Sequence, residues 1–164
     1  PLRFSVIIEP PAMRDKKGEK YLTHYFCKSH IPEAYVERRQ TRTGYINVSC
    51  PELTAVDLLT YQAKTGSVSR AATVLAELAE KLDFERLGAD FVKEVPVTSL
   101  QRLGYILDEV LEEGEAAESV HSLLKCSGFA LQHVPLKAGK SSEGCERNAK
   151  WRIIVNETIE IDEL

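Results

Sequence analysis

The spacing of the apolar residues changes near residue 49, and this change constrains the fold more than any other feature. Residues 3–9 and 21–27 are rich in β-branched and aromatic side chains, and a shorter segment of the same kind, Tyr45–Val48, follows a break at Gly44. Such segments are typical of β-strands. From residue 49 onward the apolar positions recur every three or four residues, which is the period of an α-helix.

The order of these segments predicts the fold class. Strands come first, a run of helices follows, and a closing strand is predicted within 151–156. This order indicates an α+β fold, in which a small mixed β-sheet packs against a run of four to five α-helices, and it argues against an alternating βαβ fold. With 164 residues, the chain has the length of one domain. We therefore expect a single domain over 1–164, strand-rich over 1–48 and helical over 49–126.

Two capping boxes and one glycine stand out in the helical region. Ser49 with Glu52, and Thr98 with Gln101, have the spacing at which two side chains satisfy free backbone N–H groups at a helix start. Gly104 interrupts an otherwise apolar helix face, although glycine costs about 1 kcal/mol relative to alanine in a helix. We therefore predict a helix start at each box and close packing of a neighbouring element at Gly104.

Charge is unevenly distributed along the chain. The net charge is −4, yet residues 1–50 contain nine Lys and Arg against five acids, and residues 51–164 contain twelve against twenty. Phosphate affinity comes from clustered cations, so an acidic chain binds nucleic acid poorly unless the cations share one surface. Two basic loops in the first third, with Tyr35 and Tyr45 nearby, predict such a nucleic-acid-binding surface, formed by Arg14, Lys16, Lys17, Arg38, Arg39 and Arg42.

The sequence carries no motif for catalysis, metal binding or nucleotide binding. The four cysteines lack CxxC spacing, the histidines lack HxH or HxxxH spacing, and no GxSxG is present. Gly139-Lys140-Ser141 resembles the end of a phosphate-binding loop, but Val134 stands where that motif requires its first glycine. Cys50 is the best-placed nucleophile because a helix start lowers a thiol pKa, yet an inert thiol is the favoured interpretation. We therefore predict no catalytic residue, no metal and no cofactor.

An enzyme stays open as the alternative function. A small metal-dependent nuclease or nucleotide-processing domain would need acids near strand ends beside a basic surface. Glu9, Glu157 and Glu160 are the acids in such positions, without a recognisable motif around them. The absence of a secretory signal and of a long apolar run favours a cytoplasmic protein with reduced thiols and no membrane association.

Four stretches of the chain carry a family pattern. They are Thr43–Leu58 (TGYINVSCPELTAVDL), Ala71–Leu78 (AATVLAEL), Leu100–Asp108 (LQRLGYILD), and a last stretch with Trp151–Asn156 (WRIIVN) followed by Ile159–Asp162 (IEID). In this order, they resemble the blocks of the AbiEi-type antitoxins of abortive-infection, type IV toxin–antitoxin systems. The resemblance covers nearly the whole chain.

The resemblance implies an antitoxin and transcriptional autoregulator in bacterial defence against phage. Family antitoxins neutralise a nucleotidyltransferase toxin without forming a stable complex with it, and they repress their own operon by binding operator DNA through an N-terminal winged helix. This chain starts at Pro1 and contains no winged helix, so we expect it to be the C-terminal domain with upstream sequence missing. The family offers no established catalytic residue. Direct docking of the acidic stretch 108–118 onto a basic toxin surface is the alternative to antagonism without a complex.

Overall fold

A three-stranded sheet begins the chain. The computed structural model describes residues 2–161 and divides into two compact units, residues 1–48 and 49–164. In the first unit, β1 (Leu2–Ile8), β2 (Lys16–Lys17) and β3 (Tyr21–Cys27) form a sheet in the order β1-β3-β2. β1 runs parallel to β3, and β2 runs antiparallel to it. Both long strands match the predicted ones, whereas β2 is a pair of lysines that is extended only through its pairing with β3.

A two-stranded hairpin ends the first unit. It consists of β4 (Val36–Thr41) and β5 (Gly44–Ser49), joined by a turn of two residues. Gly44 closes this turn with a φ of 144°, a conformation that side chains disfavour. β5 confirms the strand predicted after the Gly44 break. β4 has the polar sequence VERRQT without apolar alternation, so nothing in it predicts a strand. Arg38 and Arg39 therefore lie on a strand, and the loop expected for them is wrong.

Helices form most of the second unit. The six α-helices of the described chain are α1 (Pro51–Thr60), α2 (Gln62–Thr65), α3 (Val68–Leu78), α4 (Ala89–Glu94), α5 (Val97–Tyr105) and α6 (Gly114–Ser127). A π-helical turn, Ile106–Val110, extends α5, and 3₁₀ turns span Glu33–Tyr35, Ala79–Lys81 and Phe84–Arg86. The apolar faces of α1, α3, α4 and α5 meet in one core around the fully buried side chains of Leu59, Leu75, Phe91 and Leu103. The α+β class is thereby confirmed.

The capping box predicted at the start of α1 is wrong. The helix starts at Cys50 as its N-cap, without a capping side chain. The Ser49 hydroxyl lies 2.6 Å from the Thr54 hydroxyl, within hydrogen-bond distance. Glu52 is fully buried and accepts hydrogen bonds from the guanidinium of Arg86 at 2.7 Å and from the backbone N–H of Asp83 at 2.8 Å. Glu52 is thus used for tertiary contacts and Ser49 for a local side-chain contact, and neither caps the backbone of the helix start.

The capping box predicted at the start of α5 is also wrong. Pro96 is the N-cap of this helix and no side chain caps it. Gln101, the second member of the predicted box, is buried and donates its amide N–H groups to the carbonyls of Gln132 and Trp151, at 2.9 and 3.0 Å. A buried amide must find partners, and here the partners belong to a distant part of the chain.

A second three-stranded sheet of short strands closes the described part of the chain. It contains β6 (Val134–Pro135), β7 (Arg147–Asn148) and β8 (Ile153–Ile154), in the order β6-β8-β7. The strand predicted within 151–156 is reduced to β8, because Arg152 has a φ of 54° and turns the chain before it. The last three residues of the acidic tail lie outside the described residues.

Trp151 joins this last sheet to the helices. Its ring is fully buried, and a Cβ atom placed on Gly104 would overlap it. The indole N–H donates to the Asp108 carboxylate at 2.9 Å. Gly104 on α5 therefore admits the tryptophan ring against the helix backbone, as the predicted close packing requires.

Candidate nucleic-acid interface

The six predicted cations all lie in the first unit, and all are exposed. They form two groups. The sheet-edge group consists of Arg14, in the loop before β2, and the two residues of β2, Lys16 and Lys17. The hairpin group consists of Arg38 and Arg39 on β4 and Arg42 in the turn of the hairpin. Each group presents its cations from a strand edge or a turn, where phosphate oxygens have free access.

An aromatic ring orders one arginine of the hairpin group. The guanidinium carbon of Arg38 lies 4.2 Å from the centre of the Tyr45 ring, which is a cation–π contact. A guanidinium stacked in this way keeps its N–H edge free for the bidentate hydrogen bonds that phosphate accepts. Of the two tyrosines expected near the basic residues, Tyr45 therefore contacts Arg38 directly.

Arg39 is engaged in a surface ion pair. Its guanidinium donates to the Glu37 carboxylate at 2.5 Å, and the Arg39 side chain is 66% exposed. Exposed ion pairs of this kind contribute about 0–1 kcal/mol, so a phosphate group can displace the carboxylate at little cost. Arg39 is thus available to an anionic ligand even though it has a partner within the hairpin.

The sheet-edge group is held in place by Asp15. The Asp15 carboxylate accepts hydrogen bonds from the His24 ring at 2.8 Å and from the backbone N–H of Tyr25 at 3.0 Å. These two bonds fix the loop to β3 immediately before Lys16. The cations of β2 therefore stand on an anchored backbone rather than on a free loop.

Cys50 does not have the environment of a nucleophile. Its side chain is buried at the start of α1, and burial is the main cause that raises the pKa of the thiol. A thiol with a raised pKa stays protonated near neutral pH and reacts slowly. The favoured interpretation of Cys50 as an inert residue therefore has structural support. Cys27 and Cys126 are free and exposed.

The Gly139-Lys140-Ser141 segment does not form a phosphate cradle. The Lys140 ammonium donates to the Glu157 carboxylate at 2.6 Å, and Lys137 donates to the same carboxylate at 3.1 Å. These two cations lower the pKa of Glu157, Lys140 contributing most. The lysine that would contact phosphate in such a loop is therefore already paired.

The acids named for a nuclease are not brought together as a metal site. Glu9 accepts a hydrogen bond from the backbone N–H of Ile31 at 3.1 Å, and Glu157 is held by two lysines. Across residues 2–161, no three His, Cys, Asp or Glu side chains are grouped so that they could hold a metal ion. The nuclease alternative gains no support from this arrangement. In the same part of the chain, no helix has the length and apolarity needed to cross a membrane.

One polar cluster of the second unit was not predicted. The Asp108 carboxylate accepts hydrogen bonds from Lys150 at 2.8 Å and from the Trp151 indole at 2.9 Å, and the His121 ring packs edge-on against the indole at 5.3 Å. Partial burial by itself raises the pKa of Asp108, but the Lys150 and Trp151 donors outweigh it and hold that pKa below its ordinary value. Since Asp108 is 43 residues from Trp151, no sequence spacing could have predicted the cluster.

Comparison with known proteins identifies a family and a related fold. The family model of the AbiEi antitoxin C-terminal domain matches residues 4–109, more than half of the chain. No curated protein matches the sequence significantly. Among solved structures, the crystal structure of the RV2827C protein from Mycobacterium tuberculosis is similar, with a TM-score of 0.63 and 18% sequence identity.

The structural match covers 94% of this chain and 55% of the mycobacterial one, so this chain spans about half the length of that protein. At this level of identity the likeness establishes a shared fold. The family match covers parts of both compact units, including β4, β5 and the helices through α5. The chain belongs to the AbiEi antitoxin C-terminal domain family.

Proposed function

We propose that this chain is the antitoxin domain of a type IV toxin–antitoxin system, that it counteracts a nucleotidyltransferase toxin, and that it supports binding of operator DNA. The observation that carries the proposal is the family match over residues 4–109. The match gives the antitoxin role. We also propose the finer points that resemblance to the family implies. They are the toxin class, the repression of the operon through an N-terminal winged helix, and a cytoplasmic location in phage defence.

The antitoxin role is tested by growth rescue. The 164-residue chain is co-expressed with the nucleotidyltransferase encoded beside its gene, and we expect growth to be restored. The control is the toxin expressed with a soluble, unrelated protein of similar size. If the chain is soluble and folded but does not rescue growth, the proposal that this domain carries antitoxicity is wrong.

The same cells distinguish the two routes to neutralisation. Antagonism without a stable complex predicts that the toxin does not co-purify with the chain. Retention of the toxin at low salt, lost at high salt, would instead favour direct docking through the acidic stretch 108–118, since salt screens contacts between exposed charges.

Support for nucleic-acid binding comes from the two basic groups of the first unit. Their six exposed cations lie in a segment where Lys and Arg outnumber acids by nine to five. Arg38 is oriented by the Tyr45 ring, and the exposed pair of Arg39 with Glu37 opposes a phosphate ligand weakly. These features support phosphate contacts, which orient a protein on DNA without reading its sequence.

Charge reversal tests this surface. We expect Arg38→Glu with Arg39→Glu to weaken binding of operator duplex and to reduce the slope of log K against log salt by roughly 2, because each cation that contacts phosphate contributes about 0.9 to that slope. Affinity is measured by fluorescence anisotropy at several salt concentrations. The matched control is Arg70→Glu with Lys81→Glu, which reverses two exposed cations of the second unit. An unchanged slope in the first variant would remove Arg38 and Arg39 from the surface.

A further inference from the structure

The pairing of the first sheet assigns its side chains to two faces. The register pairs Leu2 with Tyr21, Phe4 with Thr23, and Val6 with Tyr25, and it pairs Lys16 with Thr23. Paired residues project to the same side of a sheet, and alternate residues along a strand share a face. One face, here called the aromatic face, therefore contains the side chains of Leu2, Phe4, Val6, Ile8, Tyr21, Thr23, Tyr25, Cys27 and Lys16. Phe26, on β3, belongs to the opposite face.

The aromatic face is open to solvent although most of its side chains are apolar. Leu2 is 70% exposed, Phe4 50%, Tyr21 47% and Val6 38%. By contrast, Phe26 is the only large apolar side chain among residues 2–48 that is buried. Contiguous exposed apolar surface of this kind marks a binding site in soluble proteins.

The charge around the aromatic face selects the occupant. None of its nine residues is acidic, and Lys16 lies on it. Arg14 and Lys20 flank its strands on the basic side, and Glu9 and Glu19 on the acidic side, so that with Lys16 the cations outnumber these acids by three to two. The acid nearest in sequence to Lys16, Asp15, is engaged with His24 and the backbone of β3. Aromatic rings beside cations on an open sheet suit unpaired nucleotides, whose bases stack on the rings while the phosphates meet the cations. A polyanion fits this charge pattern better than a neutral apolar partner does.

One ring of the face is already held in position. Tyr21 packs against the backbone of Gly18, where a Cβ atom would collide with the ring. The backbone N–H of Gly18 also donates to the Tyr21 carbonyl at 2.9 Å. A ring that is ordered before binding loses less conformational freedom when a base stacks on it.

We propose that the aromatic face binds single-stranded nucleic acid, with Phe4 and Tyr21 stacking on unpaired bases and Lys16 contacting a phosphate. The inference rests on the proposed role in nucleic-acid binding and deepens it by naming a second binding site within the first unit. It assigns unpaired bases to the sheet and leaves duplex contacts to the hairpin group. Stacking does not depend on base identity, so the site tolerates many sequences.

The test compares variants of Phe4 for binding to a labelled oligouridine of about 15 nucleotides. Phe4→Leu keeps an apolar side chain and removes the ring, and we expect the Kd to rise about tenfold, within the range for loss of one stacked base. Phe4→Trp keeps an aromatic ring at this position, and we expect it to bind the oligonucleotide with the wild-type Kd. Phe129→Leu is the matched control, since Phe129 is 49% exposed and lies in the second unit. Circular dichroism verifies that each variant is folded.

Three results would overturn the proposal. The first is a Phe4→Leu variant that binds the oligonucleotide as the wild type does. The second is the absence of oligonucleotide binding in the wild-type chain. The third is a concentration-dependent dimer, seen by light scattering, that Phe4→Leu dissociates, because the face would then be occupied by a second copy of the chain.

The failure of this proposal is distinguishable from failure of the antitoxin role. Growth rescue and the duplex affinity of the Arg38→Glu, Arg39→Glu variant are measured in the same series. Oligonucleotide binding that depends on Phe4, without rescue of growth, keeps the single-strand site and removes the antitoxin role. Rescue of growth together with oligonucleotide binding that does not depend on Phe4 keeps the antitoxin role and removes the single-strand site. Lys16→Gln should lower the salt slope for the oligonucleotide by about 0.7 if its ammonium contacts a phosphate.

Discussion

Gly104 is the residue on which the packing of the second unit depends most directly. Its missing side chain leaves room for the Trp151 ring, and the ring in turn brings its indole N–H to Asp108. Any side chain at this position must displace a fully buried ring or shift the backbone of α5. Densely packed interiors accommodate such changes poorly.

We expect Gly104→Ala to lower the free energy of unfolding by about 2–3 kcal/mol, because overpacking of a filled core is destabilising. Helix propensity alone would make the alanine variant more stable by about 1 kcal/mol. A decrease in the free energy of unfolding therefore shows that the clash with the ring outweighs helix propensity. Urea unfolding measures it. The control is Gly114→Ala at the start of α6, where a Cβ atom meets no neighbour. Equal stability of the two variants would contradict the contact between Gly104 and the ring.

At the residue scale, the sequence predicts that Gly104 is a close-packing position but not which ring occupies it. Trp151 is far away in the chain, so only the tertiary fold brings the two together. The capping boxes failed for a related reason: Glu52 and Gln101 have the local spacing of caps, but both are buried and have distant partners, as in the bond from Arg86 to Glu52 across 34 residues. Local spacing predicts local bonds only where no tertiary partner competes.

The pair of Glu52 and Arg86 links α1 to the 3₁₀ turn Phe84–Arg86. Burial by itself raises the pKa of the Glu52 carboxyl, but hydrogen bonds from Arg86 and from the backbone of Asp83 outweigh it and hold that pKa below its ordinary value. The pKa of the Arg86 guanidinium is raised, chiefly by its bond to Glu52. A carboxyl whose pKa is lower in the folded chain stabilises the fold above its unfolded pKa, and this contribution is lost as the pH falls through the folded pKa.

This linkage predicts a pH-dependent effect of Arg86→Ala. Near neutral pH, we expect the free energy of unfolding to fall by about 1–2 kcal/mol, in the lower part of the range for a buried charged acceptor because solvent screens Arg86. Towards about pH 4 the loss should shrink, since the unpaired Glu52 carboxyl becomes protonated in the variant. Urea unfolding over this pH range measures both. Arg70→Ala, at an exposed position of α3, is the control. A loss of stability independent of pH would assign Arg86 a packing role only.

At the element scale, the strands with a strong apolar signal are predicted, and those that depend on their partners are not. β1, β3 and β5 carry β-branched and aromatic residues, and the sequence predicts all three. β4 consists of polar residues, and β2, β6 and β7 have two residues each, so that pairing rather than side-chain pattern makes them strands. The basic residues of β4 are consequently predicted as a candidate surface but with the wrong local structure.

At the scale of the whole molecule, the charge asymmetry coincides with the division into two units. The excess of Lys and Arg lies within residues 1–48 and the excess of acids within 49–164. Composition therefore places the predicted nucleic-acid interface in the first unit. It cannot predict the aromatic face, because exposed and buried apolar residues look alike in a strand pattern. Leu2, Phe4 and Val6 alternate as a core strand would, and only the exposure of their side chains in the folded chain shows that this face is open.

Trp151 is the single tryptophan of the chain, and its ring is fully buried. The intrinsic tryptophan emission therefore originates entirely in the second unit, next to the ammonium of Lys150 at 5.3 Å from the ring. Emission at these wavelengths therefore follows the melting of the helical core that surrounds the ring. A dye attached near the aromatic face is therefore the direct probe for binding to the first unit, while the tryptophan reports the stability of the second.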